Sequence, residues 1–454
     1  MSIATAIQNA QQKVANAYTA VSNKGGTLPA TQNLSNLPSA INSISGGGGG
    51  SDNLPTFVST GISSFTNDTI TSIRPYAFYE MSSSHAAVPI TSISCANVTQ
   101  VGDHAFYRCS DLTSLSLPSL QVIGNSAFTN SGILSVSFPN LTTIGSSVFQ
   151  SCDITQLTIP ASTTSIGSSA FSECQELEEV NYNATNATYT SSSDTNYVFR
   201  AIGKNKNNLV FNIGSNVESI PDGFLYPYSN SSSYIPNIKT LNIPSNNNIT
   251  YIGSYAFKYG SYLPTSVSFP NALTLKSNCF ENCTNLVSID LPNVTTIESH
   301  CFSHCSSLQS ISLPSLISVN SSVSYFVTYC SNLQTISLPN LTTISYNSAF
   351  SSFAAQCSSL TSVDFSSLET LTGSSCLQYA FRSCTSLTTL SFPSLTSTSF
   401  GSYTNQFHTM LSGVDGCTVH FPSNLQSVIG SWTDVTDGFG GTNTTVLFDL
   451  TATT

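Results

Sequence analysis

Charge is the scarcest property of this sequence. Asp, Glu, Lys and Arg make up 7% of its 454 residues, against roughly 25% in an average soluble domain. Eleven basic residues face twenty-two acidic ones, for a net charge of −11. The basic residues are scattered, and Lys204 with Lys206 is the nearest thing to a cluster. Nucleic acid is therefore excluded as a partner, because phosphate contacts need grouped cations. Long apolar runs are missing too. No segment approaches the ~20 residues of a membrane-spanning helix, so no membrane insertion is expected. The start, MSIATAIQNAQQK, lacks the basic region and apolar core of a secretory signal. Scarcity of charge does not mean disorder, since 40% of residues are hydrophobic and disordered chains combine low hydrophobicity with high net charge. Ser, Thr and Asn supply the solubility instead.

What is present is repetition. The stretch HCFSHCSSLQSISLPSL, His300 to Leu316, reads locally as a metal site, with two histidines and two cysteines inside six residues. The same unit recurs along the chain, as VGDHAFYRCSDLTSLSLPSL from Val101, IGNSAFTNSGILSVSFPNL from Ile123 and CSNLQTISLPNL from Cys330. A fixed period in the low twenties is the mark of a solenoid. Each unit carries L-x-x-[LIV]-x-[LF]-P-x-L. Ile311 and Leu313 alternate with serines, as in a short strand with one buried face, and Pro314 ends it because it cannot donate to a ladder. The segment I-G-S-x-A-F-x-x-C returns the chain on the far side, where its phenylalanines (106, 128, 149, 171, 257, 280, 302, 350 and 381) are expected to stack coil on coil.

The repeat places the metal-like stretch. Cys305 shares a repeat position with Cys109, Cys152, Cys174, Cys283, Cys330, Cys357 and Cys384, while Cys301 and Cys279 stand where other copies have alanine. These are core positions suited to a small hydrophobe. His300 and His304 fall on exposed positions, so the four side chains do not converge on one ion. No metal and no cofactor are expected. The cysteine count is odd and no secretion signal accompanies it, so free thiols formed in a reducing compartment are expected. Replacing one by alanine is expected to cost little.

On these motifs the chain resembles leucine-rich repeat proteins of the BspA-like type over roughly residues 70–425, with weaker agreement at about 183–250. The resemblance implies a repeat solenoid. It has a parallel β-sheet on one side and turns and short helices on the other. By analogy it implies surface recognition, without specifying a ligand.

The ends differ from the middle. Ile3, Ile7, Ala10, Val14, Ala17 and Val21 alternate in steps of four and three, a heptad stripe suited to oligomerisation or attachment. A glycine run, GGGGGS at 46–51, follows as a flexible tether. Residues 1–45 resemble the attachment segments of bacteriophage tail-fibre and virion proteins. That resemblance implies docking onto other virion proteins, a virion location after assembly in the bacterial host cytoplasm, and a homo-oligomer with a trimer favoured. Residues 52–416 form the solenoid and residues 417–454, with the single Trp432, its C-terminal cap, since the last coil needs cover.

Binding residues are sought where the register blurs, because loops on rigid scaffolds carry recognition. The candidates are Tyr189, Tyr197, Tyr226, Tyr228 and Tyr234, and a second group of Phe400, Tyr403, Phe407 and His408. For catalysis, six histidines lie on different coils, and Glu173, Glu176, Glu178 and Glu179 form the one acidic cluster, read as a solvated patch. No catalytic residues are assigned. The expected function is a phage fibre or spike that binds a host cell-surface glycan or protein. The alternatives are a cellular adhesin of the same repeat type and a glycan-cleaving enzyme.

Overall fold

The computed structural model describes residues 63–80, 89–190, 198–227, 231, 234–398, 407, 409–429 and 439–451. Each coil begins with a short strand built by the x-[LIV]-x alternation. In Ser310–Ser312 the central Ile311 is buried between two exposed serines. Parallel pairing carries this register onward, to Thr335–Ser337 and then to Ser362–Asp364. One coil cannot bury its own edge, so neighbours supply the core.

The far side differs from the expected turns and short helices. A second parallel ladder runs there, in which Val101, Ile123, Ile144 and Ile166 stand in register on successive coils. Among the described residues fourteen such strands occur, from Ser72–Ile73 to Ser397–Thr398, which at ~4.8 Å per coil gives a rod of roughly 65 Å. After each of them the chain turns through residues with positive φ, such as Ser126 at 52° and Asn130 at 56°. Left-handed residues four apart prevent an α-helix from forming there. Among the described residues the helical content is one 3-10 turn, Ser423–Leu425, and the four residues Gln426–Ile429. No helix among them is long and apolar enough to cross a membrane. The helix expected over residues 1–24, with Ile3, Ile7, Ala10, Val14, Ala17 and Val21, lies outside the described residues, as does the glycine run.

Close approach of the coils explains the glycine of the I-G pair. A Cβ on Gly145 would stand 2.8 Å from the backbone nitrogen of Asn125. The residue after that glycine often staples the next coil: Asp103 Oδ1 accepts the Asn125 N–H at 2.6 Å, and Asn125 Oδ1 accepts the Ser146 N–H at 2.9 Å. Asparagines of the proline turns act likewise. The Asn140, Asn293 and Asn340 amides donate to the carbonyls of Pro118, Pro270 and Pro314 on the preceding coil.

The phenylalanines stack as expected over the first half. Phe78, Phe106, Phe128, Phe149, Phe171 and Phe199 form a column with centroid spacings of 4.9, 5.0, 5.4, 5.6 and 5.5 Å. A second column joins Phe257, Phe280 and Phe302 at 5.3 Å each. It ends there, because Phe326 meets Phe302 edge-on at 86° and then stacks on Phe353. The later coils carry longer turn segments, which shift the ring that fills the column.

All thirteen cysteines are free and buried. Their thiols do more than fill space. Cys109, Cys152, Cys174, Cys283, Cys305 and Cys330 each donate to the carbonyl of the phenylalanine one coil back, at 2.8 to 3.1 Å. Phe280 O thus takes the Cys305 thiol in addition to the Cys283 N–H. The thiol bond adds a term that near-neutral replacement by alanine leaves out. Cys305→Ala is expected to cost about 1 kcal/mol, the usual net value of one hydrogen bond, and Cys305→Ser to recover part of it. Denaturant midpoints of the two variants check this; equal midpoints for alanine, serine and the parent would deny the thiol bond a role.

The blurred stretch at 183–250 keeps its coils on the sheet side. Glu179–Tyr182, Leu209–Ile213 and Ile238–Asn242 pair in parallel, and Asn181, Asn212 and Asn242 form an amide ladder with bonds of 2.9 and 2.7 Å. At the C-terminus Thr418–Pro422 and Thr445–Leu450 extend the same sheet by two longer strands. His420 Nδ1 ties them together, 2.9 Å from both carboxylate oxygens of Asp449. Phe421, Phe439 and Phe448 pack over this end. Trp432 lies outside the described residues.

Candidate functional site

The left-handed turn residues define the edge where function is best placed. At such a turn alternate N–H groups point along the rod: His104, Phe106 and Arg108 donate to the carbonyls of Asn125, Ala127 and Thr129 on the next coil, at 2.9, 2.7 and 2.9 Å. The side chains of residues 104, 107 and 108 stand on the turn edge, half-buried or exposed, while Ala105 and Phe106 are buried. Every coil repeats this layout, so side chains on the edge form columns.

Several groups of coils put aromatic rings in those columns. Near the N-terminal end Tyr76 stacks on His104 at 5.0 Å and Tyr79 on Tyr107 at 5.3 Å, both nearly coplanar. Tyr76 is 49% exposed and Tyr79 42%. The next coil carries Ser126 and Thr129 in the same positions. This step from large to small leaves a ledge of about 490 Å³, walled by the four rings and floored by Ser126, Thr129, Asn130 and Gln150. Further along, His300 stacks on Tyr325 at 4.8 Å and His304 on Tyr329 at 4.6 Å. The following coil places Ser352 and Gln356 in these columns, the residues after Ser351 and Ala355, whose carbonyls accept the Tyr325 and Tyr329 N–H groups, so a second step occurs there. Tyr255 and Tyr259 stand on the same columns, with Lys258 Nζ 5.3 and 5.2 Å from their ring centres.

The histidines of HCFSHC are thus stacking residues on the edge. Beneath them the Cys301 thiol donates to Glu298 O and the Cys305 thiol to Phe280 O, each at 3.0 Å. Burial pulls the His300 pKa down, with the Glu281 charge opposing it. Among the described residues no group of three or more metal-ligating side chains gathers.

The expected binding residues divide. Tyr226 and Tyr234 lie on the turn edge: Tyr226 is 5.3 Å from the Tyr255 ring, and Tyr234 lies under the Arg200 guanidinium at 4.9 Å. Tyr189 and Phe407 are corrections. Tyr189 pairs in register with Ile166, so its ring packs on the core, its hydroxyl is buried and burial pushes its pKa well up. Phe407 is fully buried among Phe392, Phe421 and Phe439. Aromatic character alone cannot separate a core position from an edge position. Tyr197, Tyr228, Phe400, Tyr403 and His408 lie outside the described residues. The residues missed were Tyr76, Tyr79, Tyr107, Tyr325 and Tyr329. Their signal is the repeat register itself, an aromatic just before or just after the Ala-Phe pair at Tyr76, Tyr79 and Tyr107, and aromatics on either side of Phe326 and Val327 at Tyr325 and Tyr329.

The acidic cluster is half-exposed, and its members are paired. Glu173 pairs with Arg200, Lys206 lies 3.5 Å from Glu176 and 3.3 Å from Glu178, and Glu179 accepts from Asn181 at 3.1 Å. These carboxylates are engaged in holding successive coils together.

A leucine-rich repeat protein from Bacteroides ovatus is 23% identical to this chain, with a TM-score of 0.53, over 84% of this chain and 88% of that one. Another from Eubacterium ventriosum is 23% identical with a TM-score of 0.33, over 75% and 84%. A leucine rich cell surface protein from Faecalibacterium prausnitzii is 18% identical with a TM-score of 0.30, over 67% and 88%. The first of these likenesses shows the fold alone. No curated protein matches. The pattern of the BspA type leucine rich repeat region matches residues 55–178, 99–226, 228–355, 274–412 and 351–430. With most of its length so matched, the chain belongs to the BspA-type leucine-rich repeat family.

Proposed function

We propose that this protein is a non-catalytic recognition rod that binds glycans on a bacterial surface through its turn edge. The observation that carries the reading is the pair of aromatic steps at Tyr107 and Tyr325–Tyr329. Exposed rings beside hydroxyls and amides offer a pyranose both a stacking face and hydrogen-bond partners. The two steps follow the second and eleventh of the fourteen far-side strands, so at ~4.8 Å per coil they stand roughly 40 Å apart. Weak sites repeated along one body gain strength by avidity.

We propose further that residues 1–45 hold the rod, as a trimer, on a phage virion, with the glycine run at 46–50 letting it reorient. The support is the resemblance of that segment to virion attachment segments. Mass spectrometry of purified particles should find the chain in several copies, and light scattering of the full-length protein should give a trimer. Recovery from cell envelopes and never from particles would replace the virion by a cellular adhesin while leaving the recognition edge intact.

A further inference from the structure

The ledge at Tyr107 sets uncommitted polar groups directly beside stacked rings. Several amides elsewhere staple coils together. Asn97 donates to Asp68 O at 2.7 Å, Asn140, Asn293 and Asn340 donate to proline carbonyls, and Asn237 reaches Gly203 O and Lys206 O. At the ledge, Asn130 and Gln150 make no side-chain hydrogen bond with any described residue, and neither does Ser126. Asn130 is exposed and Gln150 and Ser126 are half-buried, so their donors and acceptors face the space beside the rings. Amides on two consecutive coils are thus left unspent beside the four-ring aromatic wall.

The charges nearby are already used. Arg108 lies 3.2 Å from Glu80 and leans over Tyr107 at 5.7 Å. Every residue lining the ledge is a tyrosine, histidine, serine, threonine, asparagine or glutamine. A carboxylate-bearing sugar would need an uncommitted cation, since charge-assisted bonds from Arg or Lys are what hold an anion. None lines the ledge.

We infer that this ledge is a subsite for a neutral hexopyranose, taken as a mono- or disaccharide unit of a longer glycan. The deduction rests on the glycan-binding reading and adds position and ligand class to it. The sugar lays its C–H face on the Tyr107 ring, whose electron-rich face attracts the weakly positive hydrogens. Its hydroxyls bond to Asn130, Gln150 and Ser126, which carry both donors and acceptors. Volume agrees, because about 490 Å³ lies within the few hundred Å³ usual for small-ligand sites.

Saturation-transfer NMR of the full-length protein tests this with cellobiose, lactose and maltose as neutral probes and sialyllactose and digalacturonate as acidic ones. A neutral probe should show transfer strongest on one C–H face, and the acidic probes none. Tyr107→Ala, and separately Asn130→Ala with Gln150→Ala, should each weaken that binding by roughly tenfold, the equivalent of one good ring stack or hydrogen bond. All three are surface changes, and an unaltered unfolding midpoint confirms that the fold is intact. Preference for the acidic probes, or neutral binding undiminished in both variants, overturns the subsite and leaves the wider glycan reading standing. Failure of every probe and of intact bacterial polysaccharide to bind overturns both.

Discussion

Raising the pH above 9 is expected to destabilise this protein. Burial pushes the thiols up, Cys152 and Cys417 to about 11 and Cys376 to about 12, with Cys174, Cys279, Cys283, Cys330 and Cys384 well above their ordinary value. The fold therefore binds protons that the unfolded chain releases. The stabilisation is complete below the unfolded value near 9 and is lost as pH climbs from there towards 11 and beyond. Each thiol kept protonated by the fold costs up to about 1.4 kcal/mol per pH unit once the unfolded chain ionises, so stability falls progressively as the pH climbs. Far-UV circular dichroism against pH checks it, with recovery on neutralisation. A β signal unchanged at pH 11 would mean that the thiols do not limit the fold.

Phe128→Ala is expected to cost about 3–5 kcal/mol, the usual range for emptying a phenylalanine site in a core. Phe128 is fully buried and stacks on Phe106 at 5.0 Å and Phe149 at 5.4 Å. In a solenoid, stability is a sum of coils and the interfaces between neighbours, and this one change weakens two interfaces. Proteolysis should then open the coils on the N-terminal side of residue 128 first. Phe128→Leu, which keeps most of the volume, should lose far less. A denaturant shift below about 1 kcal/mol for the alanine variant would show that the column is not the core, given the cavity it leaves.

The fold was legible because its signals repeat. One coil such as ISLPSL is ambiguous, whereas ten in register fix both the strand and its buried face, as Ile311 between Ser310 and Ser312 shows. The second ladder was not legible. Its strands are mostly two residues long, as at Val122–Ile123, too short for alternation to register. Helices were expected on the far side because nothing in I-G-S-x-A-F announces positive φ at serine, histidine or tyrosine, residues that ordinarily avoid it. The binding candidates suffered from being sought where the pattern failed. The edge rings sit where the pattern holds, at Tyr76, Tyr107, Tyr325 and Tyr329, and only the stacking of coils shows that they meet. Tyr189 looked like a loop residue, but it occupies the inward position that Ile166 holds one coil earlier.

The recognition edge is tested most directly by presenting the full-length protein to an array of bacterial surface polysaccharides, alongside a variant with Tyr107, Tyr325 and Tyr329 replaced by alanine. Retained binding to at least one polysaccharide by the parent, a loss of roughly a hundredfold or more in the variant as avidity between the two steps disappears, and no release of new reducing ends are the predicted results. Equal binding by the two proteins, or cleavage of the bound polysaccharide, would contradict it.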